Sequence, residues 1–212
     1  MPEQPVRIPA GRHELEGVCE SGSGSEGVVL CHPHPLYGGN MDNNVVMALK
    51  KSLDAQGWAT LRFNFRGVGA SGGTHGDGRG EVDDLLAAAA YLEQQGPRRI
   101  HLAGYSYGAW IALRACQQSL RPATLLLISP PIDFLDFTNL TIPQVPTLIT
   151  LGDADSFCGV PGLQKWLGTS GGEPKLVRTE ILEGCDHFYW GYETRLHSIT
   201  LDFVQSLALG PH

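Results

Sequence analysis

The pattern Gly-x-Ser-x-Gly occurs three times in this chain, at Gly69 to Gly73, Gly104 to Gly108 and Gly168 to Gly172. With 27 glycines among 212 residues, the pattern alone says little. A serine hydroxyl becomes useful as a nucleophile when it sits on a strained turn between a strand and a helix, with small neighbours that let the two backbones pass close by. Ser106 has both flanks: Arg99 to Ala103 reads as a strand, and Ala109 to Cys116 as a buried helix, apolar nearly all round. Ser71 runs into further glycines instead of a helix, and Ser170 follows a helix.

A serine needs a base within hydrogen-bond reach and a carboxylate to orient that base. Two later segments offer them just past strand ends: Gly152, Asp153, Ala154 and Asp155 after Thr147 to Leu151, and Gly184, Cys185, Asp186 and His187 after Val177 to Leu182. His187 is the base by elimination, since His13 lies near a terminus, His101 in the strand before the turn and His197 within the last helix. Asp155 is the expected acid and Asp153 the reserve, because an aspartate directly after Gly152 can simply close a turn. Asp186, adjacent to His187, is poorly placed to meet its Nδ1. Charge developing on an attacked carbonyl needs fixed N–H donors. Tyr107 supplies one; the second is expected from the HisProHisPro segment, where Pro33 and Pro35 have no N–H, so that His34, then Leu36 or Tyr37, are the candidates. Activity resting on His187 is expected to fall on acidification through the ordinary histidine value of about 6.5.

The elements that must position these groups follow from periodicity. A hairpin is expected from Val6 to Glu20, turning near Gly11. Buried strands are expected at Val28 to Cys31, Trp58 to Phe65, Thr124 to Ile128, Thr147 to Leu151 and Val177 to Leu182. Asp42 to Gln56, Glu81 to Gln95, Val160 to Leu167 and Arg195 to Leu207 read as helices with one apolar face. Strands alternating with helices imply an α/β architecture, one domain over 1–212, with a mostly parallel, doubly wound sheet that binds ligands at its carboxyl edge.

Composition narrows the partners. Forty-two per cent apolar and 17% charged residues suit a globular domain, and a net charge of −7 disfavours nucleic acid and anionic membranes. The longest apolar run, Leu85 to Leu92, is too short to span a bilayer, and the first residues lack a signal-peptide pattern. Five dispersed cysteines without a Cys-x-x-Cys pair fit buried thiols and a cytoplasmic location. Composition is silent on oligomeric state.

GlyTyrSerTyrGly, GlyAspAlaAsp and GlyCysAspHisPhe, in that order, resemble the α/β-hydrolase superfamily from Val28 to about Val204. HisProHisProLeuTyrGlyGlyAsnMetAspAsnAsn with PheAsnPheArgGlyValGlyAlaSerGlyGly further resembles small predicted hydrolases akin to dienelactone hydrolases. Those use a cysteine nucleophile where this chain has Ser106. The resemblance implies an α/β-hydrolase fold, a serine esterase or thioesterase acting on a small molecule without a cofactor, and an acid three residues after the loop glycine, which matches Asp155. Ser129 to Pro146 is too short for the lid that such proteins often insert, so a shallow, open site favouring short acyl groups is expected. Tyr37, Phe134, Phe137, Phe188 and Trp190, with Leu135, Leu140 and Phe157, are the expected walls.

Other chemistries compete. Gly67, Gly69 and Gly72 form a Gly-x-Gly-x-x-Gly dinucleotide fingerprint, though no helix opens directly after it. On the hydrolase reading this segment is a connection whose Arg66 is held by a carboxylate. His32 and His34 can chelate a metal for hydrolysis, with His75, Asp77 or Asp42 as the third ligand. An inactive hydrolase fold used as a binding module is the remaining alternative.

Overall fold

Runs of apolar residues without polar alternation become the central strands. In the computed structural model, which describes residues 2–208, β3 (Glu26–Cys31), β5 (Arg99–Tyr105), β6 (Leu125–Ile128) and β7 (Thr147–Gly152) pair in parallel and are almost wholly buried. Continuous hydrophobicity of this kind belongs to a sheet covered on both faces. The hairpin β1 (Gln4–Ala10) and β2 (His13–Glu20), with β4 (Ala59–Phe63) and β8 (Val177–Leu182), complete one eight-stranded sheet in the order β1-β2-β4-β3-β5-β6-β7-β8. Among the described residues, only the β1 to β2 and β2 to β4 pairs are antiparallel. Of the span 1–212 expected as one domain, Met1 and residues 209–212 lie outside the described residues.

Side chains alternate across the sheet and feed two cores. Leu125 and Leu127 join the core under α2 (Arg79–Gln94), α3 (Tyr107–Gln118) and α4 (Val160–Leu167), whereas Leu126 and Ile128 join the one under α1 (Asn44–Asp54) and α5 (Glu193–Ala208). In α1 the buried stripe is Val45, Val46, Leu49 and Leu53, and the Asn43 side chain caps its start by accepting from the Val45 amide. All five cysteines are buried and unpaired. No helix among the described residues is long and apolar enough to cross a membrane.

Of the element boundaries that differ from the sequence expectation, two bear on the site. The strand expected to reach Phe65 ends at Phe63: the Asn64 amide still donates to Glu16 O of β2 (2.8 Å), but the Phe65 amide donates to His32 Nε2 (3.0 Å), a side chain in place of a strand carbonyl. Helix α3 begins at Tyr107, two residues early, which makes Ser106 its N-cap. After β3 the chain crosses to β4 on one side and later to β5 on the other, so the switch in direction lies at the carboxyl ends of β3 and β5. A crevice forms at such a point. Only Ser129 to Pro146, without a helix, separates β6 from β7, so no lid covers it.

Close backbone approach sets this region. A Cβ on Gly104 would lie 2.4 Å from the Gly108 carbonyl carbon, and one on Gly108 would lie 2.4 Å from Cys31 O. Gly108→Ala is therefore expected to destabilise the protein by about 1–3 kcal/mol in urea denaturation. Gly24, with nothing within 4 Å of an added Cβ, provides the control, and its alanine variant should stay within about 0.5 kcal/mol of wild type.

Candidate active site

Ser106 sits at the end of β5 with φ of +53°, a backbone region that a residue with a side chain occupies only under strain. Its amide donates to Ile128 O at 2.8 Å, and the helix that starts at Tyr107 carries the chain away, leaving Oγ at the floor of the crevice. His187 Nε2 lies 2.9 Å from Ser106 Oγ, and His187 Nδ1 lies 2.8 Å from Asp155 Oδ2. An ionised carboxylate only accepts, so Nδ1 carries the ring proton and Nε2 accepts from the serine hydroxyl. Such a line can take a proton from Oγ as it attacks.

Asp155 is brought to His187 by a contact only glycine permits: a Cβ on Gly152 would lie 1.9 Å from Cys185 O. Its side chain is fully buried. Burial pushes the carboxyl up; the His187 ring and the Phe157 amide outweigh this and hold it below the usual carboxylate value. Oδ1 accepts from the amides of Phe157 (2.8 Å) and Cys158 (3.1 Å). Asp153 has a different task, accepting from the Gly184 amide at 2.7 Å and tying the two loops together. Asp186 is exposed and accepts from the Phe188 amide. Sequence reasoning passed over Tyr105 and Tyr189. The Tyr105 hydroxyl donates to His187 O at 2.7 Å, and the Tyr189 hydroxyl lies 3.1 Å from both Ser129 Oγ and Thr150 Oγ1. The one sequence signal was a tyrosine beside the serine in GlyTyrSerTyrGly.

The HisProHisPro segment leaves β3 toward Ser106. Of its candidate donors, the Leu36 amide is committed to His34 Nδ1 (3.2 Å) and the Tyr37 amide to His34 O (3.1 Å). The His34 amide donates to no group among the described residues, and the Tyr107 amide opens its helix without an intrahelical partner. Both residues line the cavity with Ser106.

That cavity holds about 370 Å³, and its walls are Tyr37, Phe134, Leu135, Phe157 and Phe188 with Pro131. Among the described residues, no Asp, Glu, Lys or Arg side chain lines it. Three of the expected wall residues are elsewhere; Leu140 packs on the core, its carbonyl accepting from Trp166 Nε1 at 3.2 Å. Phe137 is buried in the core edge-to-face on Trp166, with ring centroids 5.5 Å apart, because its segment folds down onto α4. Trp190 is 70% exposed and lies outside the lining, since the chain turns away through Tyr189 at φ of +59°.

The rival chemistries meet physical obstacles. His32 is fully buried; Nε2 accepts from the Phe65 amide and Nδ1 donates to Pro33 O (2.6 Å), so neither ring nitrogen keeps a lone pair for a metal. The glycine-rich segment does not open α2, which starts only at Arg79. The amides of Gly76 and Gly78 at its start, where a phosphate would bind, already donate to Glu81 at 2.8 Å each. Arg66 is held by the buried Asp84 through Nε and Nη2.

The chain matches the model of the Alpha/beta hydrolase family over residues 28–196. It is 34% identical, over 89% of its length and 82% of the relative's, to an uncharacterized protein of Rickettsia prowazekii (strain Madrid E). A serine hydrolase without lid from Xanthomonas campestris superimposes with a TM-score of 0.88 at 29% identity, covering 98% of this chain and 96% of that one. An alpha-beta serine hydrolase homologue from Coxiella burnetii gives a TM-score of 0.86 at 34% identity, covering 95% and 97%.

Burial pushes the His32 ring down to about 4, against the opposing pull of the Pro33 carbonyl. The unfolded chain takes up this proton near 6.5, the folded protein only near 4. The stabilisation is therefore complete above pH 6.5 and is lost as pH falls from there toward 4, by about 3 kcal/mol. Urea denaturation at pH 7.5 and 4.5 should show this loss in wild type and a smaller one in His32→Gln. Equal losses would contradict the assignment.

Proposed function

The chain belongs to the alpha/beta hydrolase family, and on that premise we propose that it hydrolyses carboxylic esters of short, uncharged acyl groups through an acyl-enzyme on Ser106. The observation that carries the reading is the hydrogen-bonded line from Asp155 through His187 to Ser106, at 2.8 and 2.9 Å, on the floor of an open cavity. Ser106 Oγ attacks the ester carbonyl as His187 Nε2 takes its proton, forming the Oγ–C bond of a tetrahedral intermediate. Its oxyanion is held by the amides of His34 and Tyr107. Collapse breaks the bond to the alcohol oxygen, which leaves with the proton from Nε2. Water then adds to the acyl carbon, its proton passing to Nε2, and the second collapse breaks the Oγ–C bond, returns the proton to Ser106 and releases the acid. Asp155 orients the ring throughout and stabilises its charged form. A thioester follows the same course with a thiol leaving group.

The acyl class follows from the walls. A charged acyl group would lose its water against aromatic and aliphatic side chains with no counter-charge to meet it, which costs several kcal/mol. The cavity is open and small, so long chains gain little beyond the first few methylenes.

Fluorophosphonate labelling read by intact mass should modify the folded protein once, at the peptide holding Ser106, and fail in Ser106→Ala. Turnover of a short-chain ester by that variant should drop at least about 10³-fold. Labelling that survives in Ser106→Ala, or none in the wild type, would reject the reading and favour a binding module. A butyrate ester should be cleaved at least about tenfold faster than the matched hemisuccinate; equal rates, or a steep gain with long chains, would contradict the acyl class.

A further inference from the structure

The glycine-rich segment after β4 has no part in the chemistry above, yet it brings a largely covered histidine, His75, against a buried carboxylate of α2, Glu81, at the underside of the site. His75 is 13% exposed, and its Nδ1 lies 2.9 Å from Oε1 of the fully buried Glu81, close but poorly aligned with the ring N–H. Its Nε2 lies 3.4 Å from the exposed Asp77. Glu81 is itself fixed, accepting from the amides of Gly76 and Gly78, and the segment is clamped at its other end by Arg66 on Asp84.

Side chains of both oxyanion donors converge on this pair. The His34 ring is centred 5.3 Å from the His75 ring and 4.6 Å from the Tyr107 ring; the Tyr107 ring is centred 5.8 Å from His75. The Tyr107 hydroxyl is buried beside Glu81 without an aligned partner. His34 and Tyr107 come from separate segments, one after β3 and one after β5, so the spacing of their amides is not set by covalent continuity. Each residue lines the cavity and has its ring against the same anchored group. We propose that the Glu81 and His75 pair positions the oxyanion hole, holding the His34 and Tyr107 amides at the separation a tetrahedral oxyanion requires.

A group acting this way affects the transition state and leaves ground-state binding alone. The inference rests on the esterase reading, and its test separates the two. Wild type, His75→Ala and Glu81→Gln are compared for kcat and KM on a short-chain ester, for affinity toward an alkyl boronic acid that forms a tetrahedral adduct on Ser106, and for Tm. The variants should lower kcat about 10- to 50-fold, less than outright loss of an oxyanion donor. KM should stay within about twofold, and boronate affinity should fall by the same factor as kcat. Glu81→Gln keeps an oxygen for one of the two glycine amides and carries the test should His75→Ala fail to fold. Folded variants with kcat and boronate affinity within about twofold of wild type would overturn the proposal, as would a loss confined to KM. Wild type that neither turns over esters nor reacts with fluorophosphonate would overturn the esterase reading and this proposal with it.

Discussion

At the carboxyl edge of the sheet, backbones converge more closely than any side chain would allow. The carbonyl of Cys31 ending β3 sits where a Cβ of Gly108 would be, the Gly108 carbonyl where a Cβ of Gly104 would be, and the Cys185 carbonyl where a Cβ of Gly152 would be. These contacts fix the end of β3 against the turn at Ser106, and the loop after β7 against the loop after β8, before any functional side chain is considered. Ser106 is lifted out of its strand at positive φ because the chain must turn from β5 into α3 within this space. Strain of this kind persists only where surrounding contacts determine the conformation. Here they are the Ser106 amide on Ile128 O and the helix packed behind.

The polar groups of the site are then buried in a connected set. Asp155 loses its hydration entirely, a cost offset by the amides of Phe157 and Cys158 and by the His187 ring. Tyr105 fixes the backbone of His187 from below, and Tyr189 lies against Ser129 and Thr150 in the same core. A half-satisfied network would be worse than an apolar core. The satisfied one leaves the histidine with a single orientation, in which Nε2 faces the serine.

Much of this was legible in residue order. Continuous apolar strands and one-sided helices specify the doubly wound sheet, and Ser106 stands apart from Ser71 and Ser170 by its flanks alone. Asp153 and Asp155 were harder to separate, because both lie in one four-residue turn; the difference is that Asp153 reaches across to the Gly184 amide, a tertiary fact. Phe137 and Trp190 were read as cavity walls since aromatic residues in a loop have no period to tell core from surface. His32 and His34 looked like a chelating pair by spacing, whereas the partner that uses up His32 is the Phe65 amide, 33 residues away.

The glycine-rich segment shows how one pattern serves two physical ends. Gly-x-Gly-x-x-Gly can cradle a pyrophosphate when it leads straight into a helix whose first amides are free. In this chain six residues separate Gly72 from α2, and the anion at the helix start is supplied from within, by Glu81. With that position filled, the segment's glycines serve tight turning, at positive φ for Gly67 and Gly69, and its Arg66 and His75 side chains point inward to Asp84 and Glu81. A loop pinned at both ends by buried carboxylates is stiff. Its His75 ring packs against the rings of His34 and Tyr107, so the stiffness of the loop passes to the two residues proposed to hold the oxyanion.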